Sequence, residues 1–158
     1  MAKELIRVPR ILGGNCNSGL IERLYEASQA GVKIDLIVRG ICCLIPGRKY
    51  SRNIRVTRIV DTFLEHARVW YFGNGGKPKL FLGSPDWMRR NLYRRIEAVT
   101  PILDPDLKRE LSDMLSIQLS DKRKACFVDD HLRNRWKSAR PQKEKIRSQY
   151  TFYEYLKG

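Results

Sequence analysis

A chain of 158 residues is long enough for one domain with a real core and too short for two ordinary ones. Hydrophobic residues make up 42% and charged residues 30%, which excludes a wholly disordered chain, and the longest apolar run, residues 41–46, falls far short of the ~18 residues of a membrane span. Thirty-one Lys and Arg against 17 Asp and Glu leave a net charge of +14, so the partners to expect are polyanions: nucleic acid, anionic membrane, nucleotides or polyphosphate.

The basic excess is shared by both halves of the chain, as expected of a folded surface rather than a tail. It concentrates in residues 36–60, with six basic side chains and no acidic one, and in residues 131–147, with seven basic side chains against Glu144. The N-terminus lacks an apolar leader, and Cys16, Cys42, Cys43 and Cys126 form no CxxC pair; both features suggest a cytosolic protein with reduced thiols.

In chain order, Ser18 can cap a helix with Ile21, Leu24, Tyr25 and Ser28 on one face, ended by Gly31. Residues 34–38 read as a buried strand broken by Arg39-Gly40. A basic loop over 45–53 leads to a short strand at 54–56, then a helical turn over 60–65. Strands at 69–72 and 79–82 flank Gly73-Asn74-Gly75-Gly76, a hairpin signal because such turns need positive φ. Another strand is expected over 95–101. Asp104-Pro105 opens a helix with Leu107, Leu111, Met114, Leu115 and Leu119 as its apolar stripe. A last strand at 124–128 and a terminal helix over 143–156, with Ile146, Tyr150 and Tyr153 on one face, complete an α/β domain with a mixed sheet.

With two histidines, the search for chemistry is short. His66 and Arg68 would share a face if both lay on a strand, and an imidazole beside a guanidinium suits a phosphoryl oxygen. The same pair also reads as an ordinary strand-edge histidine beside a solvated arginine. His131, in Asp129-Asp130-His131, reads as a loop residue, and no ligand spacing supports a metal there. Arg39 follows a buried strand and precedes a glycine, where open α/β sheets collect ligands; a solvated strand-end arginine is the alternative. Residues 83–95, with Ser84, Asp86, Trp87 and four arginines including Arg94, read either as a phosphate-gripping loop or as a basic helical turn.

The strings at 24–44, Asn53-Ile54-Arg55-Val56, Phe63-Leu64-Glu65-His66-Ala67-Arg68, Asn74-Gly75-Gly76, 84–97 and 100–105 resemble, in register, the last domain of bacterial polyphosphate kinases. The resemblance covers roughly residues 18–157, leaving 1–17 as a poorly matched lead-in and 18–158 as the C-terminal catalytic domain of a longer enzyme. It implies a mixed sheet flanked by helices, similar to one half of a phospholipase D-like fold. The activity it implies is reversible transfer of the ATP γ-phosphoryl group to inorganic polyphosphate, with magnesium, through a phosphohistidine carried by a preceding domain. Arg39 and His66 would then act on ATP or ADP and the phosphoryl group, with Arg68, Ser84 and Arg94 as further candidate phosphate contacts. Metal ligands are expected outside this chain. Other implied partners are the remaining domains and further copies of the full-length enzyme, in the cytoplasm or at a membrane, with no specific nucleic acid.

Against the phospholipase D pattern His-x-Lys-x4-Asp then Gly-Ser-x-Asn, this chain reads His66-Ala67-Arg68 with Gly73 in place of Asp, then Gly83-Ser84-Pro85-Asp86. Loss of the Lys and the Asp argues against independent phosphodiester cleavage, and guanidinium in place of ammonium favours bidentate phosphate contact. A nucleic-acid-binding module and a phospholipase D-like phosphodiesterase half are the alternative readings.

Overall fold

The computed structural model describes residues 3–8, 18–137 and 146–158, and its first element, β1 (Lys3–Val8), lies in the interior of the sheet although the sequence reads it as a lead-in. Cys16 and the rest of 9–17 lie outside the described residues. α1 (Ser18–Gln29) buries Leu24 and Ser28 and half-buries Ile21 and Tyr25, the face expected from its spacing. Its end is a Schellman motif: Val32 N–H donates to Ala27 O and Gly31 N–H to Ser28 O, with Gly31 at φ 92°.

β2 (Lys33–Val38) is buried from Ile34 onward, as its apolar run requires. Residues 39–53 then return to the amino end of β3 (Ile54–Ile59), which pairs parallel to β2. This return is fastened to α1. The Tyr25 and Tyr50 rings meet edge to face at 4.6 Å, while Asn53 donates from its backbone and side-chain amides to Ser28 Oγ and Ser28 O.

β4 (Arg68–Phe72) and β5 (Lys79–Gly83) form the expected hairpin, its turn carried by positive φ at Asn74, Gly75 and Gly76. α2 (Arg89–Arg94), β6 (Val99–Ile102) and α3 (Pro105–Ser120) follow. Asp104 Oδ1 caps α3 by accepting from the N–H groups of Asp106 and Leu107, ahead of Pro105 at N1. β7 (Ala125–Val128), β8 (Asn134–Trp136) and α4 (Ser148–Lys157) complete the chain.

The strands form one sheet in the order β6-β5-β4-β1-β2-β3-β7-β8. β1, β2 and β3 are parallel and every other pairing is antiparallel, so the sheet is mixed. Alternation along the strands divides the core. Ile34, Leu36, Val38, Ile54, Val56 and Trp70 pack with Leu24 of α1 and with Trp87, whereas Ile37, Ile59, Val69 and Leu80 pack with Met114 and Leu115 of α3 and with Phe152 of α4. No helix among the described residues is long and apolar enough to cross a membrane.

Four local expectations change. Residues 60–65 are not a helical turn but an irregular segment, bent at 62 and 63 and held by side chains. There, the Phe63 N–H donates to Gln149 Oε1 and Phe63 O accepts from Gln149 Nε2, while Arg147 makes two bonds to the Asp61 carboxylate at 2.6 and 2.8 Å. β6 begins at Val99, and Arg95 and Ile96 are exposed ahead of it. Residues 124–128 are not the last strand, because β8 pairs beyond them. α4 starts at Ser148, residues 143–145 lying outside the described set, and it turns Ser148, Gln149 and Phe152 inward while Ile146, Tyr150 and Tyr153 stay exposed. The inward polar face is what periodicity in apolar residues could not find, because the Gln149 side chain is buried for its bonds to Phe63 and Ser148 for the bond from its backbone N–H to Asp121 Oδ2.

Candidate functional site

The register gathers the sequence candidates at one end of the sheet. Arg7 of β1 pairs with Val69 of β4 on one side and Ile37 of β2 on the other. Arg39 emerges just past β2 and His66 just ahead of β4, so both lie at the same end of the sheet, beyond strands that flank β1. β5 ends there too. Gly83 pairs with Arg68 and with Val99, which brings Ser84, Asp86 and Glu97 to the Arg68 end of β4.

Gly83 is required by packing. A Cβ there would meet the Trp70 ring at 2.7 and 2.8 Å and Ala98 O at 2.9 Å. The indole thus lies directly under the backbone that carries Ser84 into the site.

His66 is exposed and, contrary to the expectation of a strand, precedes β4 by two residues. Its proximity to Arg68 comes from the guanidinium folding back on it. Arg68 Nη1 donates to His66 O at 3.0 Å, and its Nη1 and Nη2 face the ring nitrogens Nδ1 and Nε2 at 3.0 and 3.2 Å. A neutral imidazole has one nitrogen lone pair to offer, so one of these ring contacts is a hydrogen bond and the other a close approach. Behind Arg68 sits the Asp86 carboxylate, within 3.3 Å of Nη2 and 3.4 Å of Nε, with the two side chains 12% and 8% exposed. A carboxylate thus fixes a guanidinium, which fixes an imidazole whose open side meets solvent.

Ser84 is engaged with its own neighbours. Its hydroxyl donates to Glu97 Oε2 and accepts from the Ala98 N–H, and Asn91 Nδ2 holds the other Glu97 oxygen at 2.8 Å. The Ser84 and Asn91 hydrogen bonds hold the Glu97 carboxyl below the usual carboxylate range. This knot fixes the chain around α2, whose Arg89 and Arg94 are exposed. The stretch 83–95 is therefore a short basic helix behind a carboxylate-stapled turn.

Arg39 is half-buried at the carboxyl end of β2, and its Nε is buried with no hydrogen-bond partner among the described residues. Beside it, Arg58 Nη2 donates to Gly40 O at 2.9 Å and fixes the bend that follows β2. The basic return loop does not join this site. Arg52 and Lys33 lie by the pairing of Ile34 with Ile54, at the far end of the same strands, and Arg48 is paired with Asp130. His131 stands in an exposed turn, its Nε2 at 3.8 Å from Asp130 Oδ1. Cys42 and Cys126 are buried thiols, and burial pushes Cys42 up to about 11, which leaves it unreactive at neutral pH.

Sequence reasoning missed the supporting groups. Asp86 entered as part of the stretch 83–95 and as a departure from a motif, not as a partner of Arg68, and Glu65, Gln118 and Gln149 not as candidates, although Gln118 Nε2 donates to Glu65 Oε2 at 2.9 Å and Gln149 clamps Phe63. The partners are separated by 53 and 86 positions, beyond the reach of any local pattern.

A donor set for a divalent cation is not present here. Among the described residues no three His, Cys, Asp or Glu side chains are grouped to hold a metal, and the Asp86 carboxylate is taken by Arg68.

Comparison with known proteins shows the family of the chain and its fold. Residues 13–149 match the family described as polyphosphate kinase C-terminal domain 2. The chain is 48% identical over 143 residues to the polyphosphate kinase of Escherichia coli strain K12, covering 90% of this chain and 21% of that protein. It is 58% identical over 107 residues to the Synechocystis polyphosphate kinase, covering 67% and 15%. The crystal structure of polyphosphate kinase from Porphyromonas gingivalis superposes with a TM-score of 0.91 at 52% identity, over 99% of this chain and 24% of that one. NucT from Helicobacter pylori shares the fold alone, with a TM-score of 0.56 at 14% identity over 74% of this chain and 78% of that one. The chain spans about a fifth of the length of the curated relatives it matches over 90% of its own.

Proposed function

Because the chain belongs to the family of polyphosphate kinase C-terminal domains, we propose that it is one half of a composite site that moves the ATP γ-phosphoryl group reversibly onto inorganic polyphosphate. The observation that carries the reading is the convergence of Arg39 and His66 on one sheet end, with Arg68 and Asp86 holding the imidazole from behind.

In this reading, phosphoryl transfer asks the chain for positioning and charge neutralisation more than for covalent chemistry. Arg39, its buried Nε without a partner among the described residues, offers a cation at the strand end where phosphate oxygens would arrive. His66 would offer a ring nitrogen to a phosphate oxygen of ATP or ADP by giving up one of its two close contacts with Arg68, and could donate or hold a proton there. Arg68 acts on His66 as a positioning residue, since its own donors are committed to His66 and Asp86. Magnesium, which the family's chemistry implies, has no fitting donor set among the described residues, and no step here depends on it. A phospholipase D-like half-fold fits the mixed sheet and the likeness to NucT, but Arg68 replaces the lysine of that motif and is held by Asp86.

The phosphohistidine is proposed to lie in a domain outside this chain. Incubating the chain with labelled ATP and magnesium should therefore give no acid-labile, base-stable label. Stoichiometric label that disappears in His66→Ala would make His66 the nucleophile and overturn the assignment of roles. Proximity to an oriented donor is worth roughly 7–11 kcal/mol of barrier, which the isolated half forgoes.

A further inference from the structure

The charge excess has its own place in the fold. Two adjoining cavities of about 410 and 450 Å³ share Asp35 and Arg55 and run as one groove, from the amino ends of β2 and β3 to the end of α3. Five cations line it, Lys33, Arg52, Arg55, Lys122 and Lys137, against the single carboxylate of Asp35. That carboxylate is already bonded to Arg55 Nε at 2.9 Å.

The floor is built rather than incidental. Thr57, 1% exposed, has a buried hydroxyl with no partner among the described residues and lines the first cavity. Lys137 is drawn in over the Phe127 ring, 4.9 Å from its centroid, and donates to Leu119 O, which covers a carbonyl at the negative end of α3. Burial holds the Lys137 ammonium below the usual lysine range, with the nearby Asp121 and Asp35 carboxylates acting in the opposite direction.

We propose that this groove is a second polyanion-binding site, separate from the Arg39–His66 end, that holds a length of inorganic polyphosphate. The polyphosphate assignment rests on the proposed function; the groove's affinity for an extended anion does not. Five cations spread over two adjoining cavities suit a chain of phosphates longer than one group. Nucleic acid fits less well, because single strands bind by stacking bases on open aromatic faces, and the one ring here, Phe127, is taken by Lys137 and by Arg55 at 5.9 Å.

The test is titration of the chain with short-chain inorganic polyphosphate and with single-stranded DNA of equal charge, over a range of salt. The proteins compared are the wild type, Arg52→Gln with Lys122→Gln (both exposed), Lys137→Gln, and Arg39→Ala with His66→Ala. The double groove variant should bind polyphosphate several-fold more weakly and lower the salt slope by about two, one per cation removed. Lys137→Gln should weaken binding with the circular dichroism spectrum unchanged, and DNA should bind more weakly than polyphosphate throughout. If both groove variants bind as the wild type does while the Arg39/His66 variant loses polyphosphate, the groove proposal fails and the proposed function stands. If DNA binds at least as tightly as polyphosphate and both depend on the groove, the polyphosphate assignment is overturned while the active-end variant still tests the proposed function separately.

Discussion

The two ends of the parallel strands put their charge to opposite uses. At the carboxyl end the charged groups lock one another: Asp86 holds Arg68, Arg68 holds His66, and Ser84 and Asn91 hold Glu97. At the amino end and across the α3 face, Lys33, Arg52 and Lys122 stand exposed and outnumber the nearby acid. The net charge of +14 therefore says more about the groove than about the His66 site, where the geometry of a few paired groups matters. Charge counting and motif reading detect different regions of this protein.

The sharpest way to separate the two ends is activity. In the full-length enzyme, His66→Ala should lower turnover by about 10²–10⁴, the range for a group that moves or holds a proton at the reacting atom. Arg39→Ala should cost about 10²–10³, as for loss of one electrostatic contact to the transferred group. Both variants should keep the wild-type circular dichroism spectrum. An enzyme that retains full kcat without His66 would remove the distinction between the ends.

Packing beneath the His66 end should give the next effect. Gly83→Ala forces a methyl into Trp70 and Ala98 O, so it should destabilise the chain by about 1–3 kcal/mol in urea unfolding. An unchanged midpoint would show that the indole is free to move aside. Asp86→Asn keeps an acceptor for Arg68 but loses the ion pair, so it should cost about 1–2 kcal/mol and also lower kcat, because the imidazole loses its fixed backing. A stability loss with kcat intact would make Asp86 structural only.

Acid should loosen the His66 end through the clamp on residues 61–63. The Arg147 hydrogen bonds hold the Asp61 carboxyl below the ordinary carboxylate value. A depressed folded-state pKa gives stability that is full above the unfolded value of about 4 and is lost as pH falls toward the folded one. The melting temperature should therefore drop as pH falls below about 4, and Asp61→Asn should melt lower at pH 7 with a flatter acid limb. Equal slopes in the two proteins would refute this linkage. The smallest effect belongs to the basic return loop: Arg48→Ala removes an exposed pair with Asp130 and should change stability by less than about 1 kcal/mol.

The sequence by itself determined most of the scaffold, because the scaffold follows from local rules. Alternating polarity, the Asp104-Pro105 start of α3, the Gly31 stop of α1 and the glycine-rich hairpin each act within a few residues. It also singled out Arg39 and His66 as candidates, through a resemblance to a family motif, and the strand register leaves both at one end of the sheet. Only the tertiary structure decided that β1 lies between β2 and β4, and that the irregular segment 60–67 is held by Gln118, Arg147 and Gln149 from distant parts of the chain. The same holds for Asp86 standing behind Arg68, and for Arg52 and Lys122 sharing one groove. The physical reason is the same in each case. These contacts are hydrogen bonds and ion pairs across strand registers, and a strand's register depends on which neighbour it pairs with, a property of the assembled sheet and of no segment within it.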